Sequence, residues 1–193
     1  MTMKRTLKGF TLIELMVTIA IASILLVVAV PNFTAYRRNA EVTSLTNTFL
    51  AALSAARGEA MKRGMNAFVV PTGNSTNWNA GWVVFVDKDR SNSLSSGGAD
   101  IIVLTQPSVP AGISVTGNNS AGSSGSGTLP SYIMYDASGF SKTTTGGISN
   151  LKLTITRTDV TGIELLSSTR KVVIDVTGRA RTCKPESSTD ANC

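Results

Sequence analysis

Residues 10–30 read FTLIELMVTIAIASILLVVAV, and this stretch decides how the rest of the chain is interpreted. It carries a single charge, at Glu14. A helix of this length is roughly 30 Å long, which matches the hydrocarbon thickness of a bilayer. Lys4, Arg5 and Lys8 precede the stretch, and basic residues hold the flank they occupy in the cytoplasm. We therefore predict a membrane-spanning helix at 10–30, with the chain beyond Pro31 on the far side.

Glu14 is the exception within this apolar stretch. A carboxylate at the bilayer centre costs about 2.5–3.5 kcal/mol on insertion scales unless a partner satisfies it. The stretch contains no Lys or Arg that would do so. A secretory signal peptide is one alternative, but it tolerates such a residue poorly, and its small-residue cleavage site is hard to place here. A plain signal anchor is a second alternative, and it explains neither Glu14 nor the Gly9 that precedes Phe10.

The composition limits the chemistry that the chain can perform. Its 193 residues include no His and two Cys, with 18 Lys+Arg against 12 Asp+Glu. Without His, Ser-His-Asp and Cys-His catalysis and His-ligated metal sites are excluded. The hydrophobic content of 42% and charged content of 16% also exclude a disordered polyelectrolyte. We expect a protein that binds and assembles, is not an enzyme and needs no cofactor.

The residues after Pro31 show the period of an amphipathic helix. Apolar side chains recur at steps of three and four, at Val42, Leu45, Phe49, Leu53, Ala56 and Ala60. Gly64 provides a C-terminal stop, and Pro31 is expected to kink or interrupt the helix at its start. We predict a helix at 31–64 whose apolar face packs against a sheet.

From residue 66 onward the period becomes that of β-strands. We predict strands at 67–70, 82–86, 101–105, 113–115, 132–135, 151–156 and 171–176. Residues 117–127 read GNNSAGSSGSG and lack core-forming side chains, which predicts a flexible loop. The predicted fold class is therefore α+β, with a long N-terminal helix whose second half lies on an antiparallel sheet in a head at 65–193.

The sequence KGFTLIEL at 8–15 resembles the class III leader of type IV pilins and of type II secretion pseudopilins. The resemblance implies a type IV pilin-like fold and cleavage of the 1–9 leader after Gly9 by a prepilin peptidase, which also methylates the new N-terminal Phe10. It further implies that Glu14 meets that amino group on a neighbouring pilin. The protein would be a single-pass protein of the inner membrane with a periplasmic head, and later part of a pilus or pseudopilus.

Three segments of the head narrow the resemblance to the GspH/FimT branch of this family. They are GWVVFVDKD at 81–89, YIMYDASGF at 132–140 and VVIDVTGRAR at 172–181. The branch includes the H pseudopilin of type II secretion and the FimT and FimU minor pilins. It implies a minor pilin of a type IV pilus, with an H-type pseudopilin acting in protein export as the alternative.

The GRAR sequence at 178–181 is the candidate binding site. In an extended chain Arg179 and Arg181 point to the same side, about 7 Å apart. Each guanidinium can hold a phosphate through two hydrogen bonds, and Gly178 can turn the chain so that both project. Resemblance to FimT-like minor pilins implies capture of double-stranded DNA in natural transformation. A solvated strand end is the alternative.

Other basic residues near the C-terminus would widen this patch, namely Arg170, Lys171 and Lys184. No aromatic residue is interleaved with the cluster, because Tyr132, Tyr135 and Phe140 are distant in sequence. This spacing argues against base stacking and favours contacts to the nucleic-acid backbone.

Cys183 and Cys193 are the only cysteines, and the predicted topology places both in an oxidising compartment. We predict a disulfide between them that fastens the C-terminal tail. Two free thiols, or pairing with another chain, are the alternatives.

Oxygen-bearing side chains alternate at Asp87, Asp89 and Ser91, as they do in calcium-binding loops. The segment lacks the Gly and the distal Glu of an EF-hand loop, and a polar hairpin turn explains it equally well. We predict no metal site.

Overall fold

The computed structural model describes residues 9–73, 76–95, 97–118, 132–148, 151–187, 190 and 193. Residues 1–8 of the predicted leader and most of the predicted loop at 117–127 lie outside these described residues. The chain divides into two compact units, Met1–Arg38 and Asn39–Cys193.

The first unit contains the beginning of helix α1 (Leu12–Arg63). Its large apolar side chains are exposed, including Ile13, Leu25 and Phe33. Among the described residues, no single helix has the length and apolar character needed to cross a membrane. The segments Leu12–Val27 and Asn32–Arg63 reach that length and composition only as a pair. Pro31, where the sequence predicts a kink, is one of the residues between these segments.

In the second unit, the remainder of α1 buries one apolar face. The six residues that the helical period predicts for this face are each 6% exposed or less, and Ala52 joins them. Thr46 lies among them, and its hydroxyl donates to the carbonyl of Val42 at 2.7 Å, which satisfies a polar group in the core. The predicted core face of the helix is therefore confirmed.

Two antiparallel sheets form the rest of the second unit. In chain order the strands are β1 (Ala67–Pro71), β2 (Trp82–Val86), β3 (Ile101–Gln106), β4 (Ile113–Asn118), β5 (Ile133–Tyr135), β6 (Ser141–Lys142), β7 (Leu151–Arg157), β8 (Arg170–Ile174) and β9 (Ala180–Cys183). A short helix α2 (Gly162–Ser167) connects β7 to β8. The first sheet has the order β3-β2-β1-β5-β6 and the second the order β4-β7-β8-β9. The predicted α+β class is confirmed.

The core lies between α1 and one face of each sheet. Phe49 of the helix packs edge-on against Trp78 and Trp82, with ring centroids 5.5 and 4.9 Å apart. In β7 the odd-numbered residues face this core and the even-numbered residues face outward, as the alternation predicts. The two faces of the second sheet are therefore distinct, and its outer face carries the even residues of β7.

All seven predicted strands are present, but one boundary matters for the site. The predicted strand at 171–176 ends at Ile174, because residues 175–178 form a turn in which the Gly178 amide donates to the Asp175 carbonyl at 2.8 Å. Strands β6 and β9 and helix α2 were not predicted, because each is short and has no hydrophobic period of its own. The strands form two sheets, whereas the sequence predicted one. The hydrophobic pattern along a strand does not show which other strands it pairs with.

A buried arginine joins α1 to the end of β7. Arg157 is 7% exposed and donates from Nη1 to Oε2 of Glu41 at 2.7 Å. It also binds both carboxylate oxygens of Asp159, at 2.7 and 2.9 Å. Bonding to Asp159, then to Glu41, raises the pKa of Arg157. The charge is therefore paired on two sides, as burial of a guanidinium requires.

Candidate functional site

The GRAR sequence, at 178–181, covers the end of the 175–178 turn and the start of β9. The Asp175 amide donates to the Arg179 carbonyl at 3.1 Å, and in the strand pairing Arg181 lies opposite Val173. Ala180 packs against the core, so alternation directs Arg181 to the outer face of the second sheet. Both arginine side chains are exposed. Within the described part of the chain, neither guanidinium has a hydrogen-bond or ion-pair partner.

Gly178 sits at a close contact between two turns. It has a φ of 78°, and a Cβ added there would lie 1.9 Å from the carbonyl oxygen of Gly139. Gly139 has a φ of 79° and closes its own turn by donating to the Asp136 carbonyl at 2.8 Å. Any side chain on Gly178 would force the turns apart. Gly178 therefore has a packing role in addition to the turning role that the sequence predicts.

Arg57 of α1 holds both of these turns. Its Nε donates to the Gly139 carbonyl and its Nη2 to the Thr177 carbonyl, each at 2.9 Å. These partners are 82 and 120 residues away in sequence, so no local pattern marks Arg57 as important. The helix thus fixes the position of the basic hairpin relative to the turn before β6.

Three buried polar atoms of this region have no hydrogen-bond partner among the described residues: Tyr135 Oη, Ser141 Oγ and Asp175 Oδ1. Burial raises the pKa of Tyr135, with the charge of Arg57 opposing this and that of Asp175 adding to it. The phenol therefore stays neutral at physiological pH and adds no charge to the hairpin surface.

Arg170 does not belong to the exposed basic surface. Its Nη2 donates to Asn39 Oδ1 at 2.6 Å and to Thr43 Oγ1 at 3.2 Å, both on α1. Its Nη1 donates to the carbonyls of Ser167 and Thr169, at 2.9 and 2.8 Å. Burial lowers its pKa. The sequence groups Arg170 with Arg179 and Arg181, but strand alternation puts it on the opposite face, where it joins β8 to α1.

Lys171 and Lys184 differ from each other in their surroundings. Lys171 pairs with Cys183 on the outer face, and its Nζ donates to the Asp190 carbonyl at 3.1 Å, so it holds the C-terminal tail. Lys184 is exposed immediately after β9. Of the three residues expected to widen the patch, Lys184 is the one that stays exposed.

The predicted disulfide between Cys183 and Cys193 is present, with Cα atoms 5.6 Å apart. Cys193 is 4% exposed, and its amide donates to Asp190 Oδ1 at 3.3 Å. The disulfide therefore holds the C-terminal tail against the end of β9, the strand that precedes it. With α2 the tail lines a cleft of about 640 Å³ on the outer face of the second sheet.

Tertiary contacts bring an exposed aromatic residue to the hairpin. The Ser141 amide donates to the Val176 carbonyl at 3.2 Å, and Phe140, immediately before it, is 46% exposed. Phe140 follows Gly139 and Arg179 follows Gly178, the two glycines that are in contact. No aromatic residue is interleaved with the basic cluster in sequence, but the contact between the two turns brings the backbone at Phe140 close to the hairpin.

The acidic segment after β2 is organised by its own hydrogen bonds. Carboxylate oxygens of Asp87, Asp89 and Asp100 lie within 4.8 Å of one another. Both oxygens of Asp87 and both of Asp100 accept backbone amides from residues 88–95, at 2.8–3.1 Å. These carboxylates therefore shape the loop, and we assign no ion to them.

The pKa values of two carboxyls in this loop, Asp87 and Asp89, shift in opposite directions. Hydrogen bonds from the hydroxyls of Ser95 and Ser91, followed by the Ser91 amide, lower the pKa of Asp89 to about 2. Burial is the main cause that raises the pKa of Asp87. Asp89 is therefore an exposed, ionised carboxylate, whereas burial disfavours the ionised form of Asp87.

Glu14 has a local partner that the sequence analysis missed. Its Oε2 accepts the Thr11 amide at 2.9 Å and the Thr11 hydroxyl at 2.7 Å, and its own amide donates to Thr11 Oγ1 at 3.3 Å. This is a capping box at the start of α1, and the Thr-x-x-Glu spacing was the available signal. Within the described residues Oε1 accepts no hydrogen bond.

Comparisons with known proteins cover both the N-terminal stretch and the head. The family profile described as type II transport protein GspH matches residues 45–178, and the prokaryotic N-terminal methylation motif matches residues 4–30. No curated protein sequence matches the chain.

Two groups of solved structures share the fold. The type IV minor pilin FimU of Pseudomonas aeruginosa is 15% identical, with a TM-score of 0.54 over 79% of this chain and 98% of that chain. The minor pseudopilin EpsH from the type 2 secretion system of Vibrio cholerae is 12% identical, with a TM-score of 0.50 over 76% of this chain and 99% of that chain. At these identities the similarity concerns the fold alone.

Proposed function

Because the chain belongs to the GspH family of minor pilins and pseudopilins, we propose that it is a non-catalytic minor pilin of a type IV pilus. The expected resemblance to that family is confirmed. In the proposed life cycle, prepilin peptidase removes residues 1–9 and methylates Phe10. Residues 10–30 then hold the protein in the inner membrane, with the head at 65–193 in the periplasm, until the subunit enters the pilus.

The geometry at the start of α1 supports assembly through Glu14. Both hydrogen bonds from Thr11 end on Oε2, so Oε1 is available to a second donor. Cleavage after Gly9 creates an ammonium group on Phe10, which is the cation that a carboxylate in apolar surroundings requires. The exposed apolar side chains of this unit would be buried by the helices of neighbouring pilins.

The test separates the assembly role of Glu14 from its capping role. We expect Glu14→Ala to insert into the membrane normally but to be at least about tenfold depleted from sheared pili, since a charged pair in apolar surroundings is lost. Thr11→Ala removes the cap, keeps the carboxylate and should assemble nearly normally. Equal incorporation of Glu14→Ala and wild type would refute the mechanism. Mass spectrometry should find mature chains that begin at Phe10.

We further propose that the β8–β9 hairpin binds DNA for natural transformation. The observation that carries this proposal is that Arg179 and Arg181 are exposed without a partner in the described residues, on a hairpin clamped by Arg57. Guanidinium groups in this state are available to phosphates. Arg170 and Lys171 are engaged within the protein, so the expected site consists of Gly178, Arg179 and Arg181, with Lys184 beside it.

DNA binding is measured with the full-length protein in non-ionic detergent, by fluorescence anisotropy of a labelled duplex at about 50 and 200 mM salt. Arg179→Ala combined with Arg181→Ala should weaken binding at least about tenfold and reduce the salt slope by roughly two. Lys88→Ala combined with Arg90→Ala removes the same charge from another loop and should have little effect. Equal losses in both double variants would show that only net charge matters.

The alternative is an H-type pseudopilin that acts in protein export. The match to the GspH profile and the fold shared with EpsH favour this second candidate. Deletion of the gene discriminates between them, because a pilus subunit is required for transformation and a pseudopilin for secretion. Loss of secretion with transformation intact would select the export role.

A further inference from the structure

We propose that Phe140 stacks on an unpaired base beside the arginines of the hairpin, so that this site binds single-stranded DNA more tightly than a duplex. This inference rests on the proposed DNA-binding function and specifies the ligand of that same site. It comes from the tertiary contact between the β8–β9 turn and the turn before β6, since the two segments are distant in sequence.

The residue before Phe140 and the residue before Arg179 are in backbone contact. Gly139 and Gly178 are in contact through the Gly139 carbonyl, and each is followed directly by one of these two residues. One residue further on, the Ser141 amide donates to the Val176 carbonyl at 3.2 Å. The aromatic and the cationic side chain therefore leave the backbone from two touching turns.

The position of Phe140 is well defined although its ring is partly exposed. Asp136 Oδ1 accepts the Phe140 amide at 2.9 Å, and the Asp136 amide donates to the Phe140 carbonyl at 3.0 Å. Arg57 holds the adjacent Gly139 carbonyl. A preorganised aromatic side chain loses little conformational freedom when a base binds it.

Exposed apolar side chains lie around the turn that precedes Phe140. Val176 is 39% exposed and Met61 is 49% exposed, and the side chain of Met61 packs at Gly139. The nearby carboxylates are Asp136, which accepts two backbone amides, and Asp175, one of whose oxygens is buried. Arg179 and Arg181 are the exposed cations nearest to these turns, and they supply the positive charge for a phosphate.

A single strand suits this combination better than a duplex does. In a duplex both faces of each internal base are covered by its neighbours, whereas an unpaired base offers a free face to an aromatic ring. Stacking of one base on an aromatic side chain is worth about 1–3 kcal/mol, or roughly 5- to 150-fold in affinity. Arg179 and Arg181 would hold the flanking phosphates.

The experiment uses the full-length protein in detergent and three labelled probes of about 16 nucleotides. They are oligothymidylate, a duplex of equal length, and an abasic strand with the same number of phosphates. Phe140→Leu should lower the affinity for oligothymidylate by roughly 5-fold or more, while affinity for the abasic strand and the duplex stays unchanged. Phe140→Tyr should retain wild-type affinity for all three probes.

Wild-type affinity of Phe140→Leu for oligothymidylate would overturn the inference, as would an equal loss on the abasic strand. Failure of the hairpin proposal gives a different result, in which the double variant of Arg179 and Arg181 binds the duplex like wild type. Unchanged fluorescence of Trp78 and Trp82, which are fully buried, verifies that each variant is folded.

Discussion

Replacement of Gly178 by alanine tests whether the basic hairpin is held by the contact with Gly139. A positive φ costs an alanine about 1–2 kcal/mol. The added Cβ would lie 1.9 Å from the Gly139 carbonyl oxygen, so the two turns must separate. Arg57 then loses the geometry of its two hydrogen bonds, each worth about 1.5 kcal/mol at the low end for a charged donor. The expected loss of unfolding free energy is therefore about 4 kcal/mol.

Gly146 provides the matched control for this substitution. Its φ is 85°, yet an added Cβ would have no atom within 4 Å. Gly146→Ala should therefore cost about 1–2 kcal/mol, which is the backbone contribution alone. The difference between the two variants isolates the contact between the turns from the cost of a left-handed alanine.

The assay is urea denaturation of the full-length protein in non-ionic detergent, followed by tryptophan fluorescence. Both tryptophans, Trp78 and Trp82, lie in the core of the second unit and report on its unfolding. With a denaturant slope of about 2 kcal/mol per M, the two variants should differ in midpoint by roughly 1.5 M. Equal midpoints for Gly178→Ala and Gly146→Ala would refute the packing role assigned to Gly178.

Three further predictions concern the tail, the acidic loop and the buried arginine. Cys183→Ser and Cys193→Ser should each lower the unfolding free energy by about 2–3 kcal/mol, because each removes the same disulfide-closed loop. Urea denaturation measures the loss, and thiol titration verifies that the disulfide is absent. Hydrogen bonds from Ser95 and Ser91 lower the pKa of Asp89 to about 2 in the folded state, from an ordinary value of 3.8. Its contribution to stability is therefore complete above about pH 4 and is lost as pH falls toward 2. Asp89→Asn should therefore show a weaker fall in thermal midpoint over that range than wild type. Glu41→Gln should lower the unfolding free energy by about 1.5 kcal/mol, measured by urea denaturation. This is the low end for a hydrogen bond to a charged group, because Glu41 is 36% exposed. A loss near zero would mean that Asp159 alone satisfies Arg157.

The head shows which parts of the fold local sequence patterns can predict. The face of α1 from Val42 to Ala60 follows from spacing alone, because every residue on that face meets the same core. The seven predicted strands follow in the same way from alternation and from short apolar runs. Strand β9 was not predicted, because its four residues, which include Arg181 and Thr182, have no apolar period. They form a strand because the 175–178 turn brings them to β8.

The candidate site was predictable only in part. The spacing of Arg179 and Arg181 identifies them as a pair on one side of a strand, and the structure exposes both. The same sequence reasoning grouped Arg170 with them, although alternation along β8 turns it toward α1. It also gave no reason to single out Arg57, whose role depends on contacts with segments far away in sequence.

By itself the sequence determined the properties that depend on neighbouring residues. These are the apolar stretch with its single acid at Glu14, the helix face, most strands, the absence of His chemistry and the membership of the family. Tertiary structure alone decided which charges remain exposed, and that Gly178 of the hairpin packs against Gly139, the residue before Phe140. The reason is physical: periodicity is encoded locally, whereas the surroundings of a side chain are set by whichever distant segments pack against it.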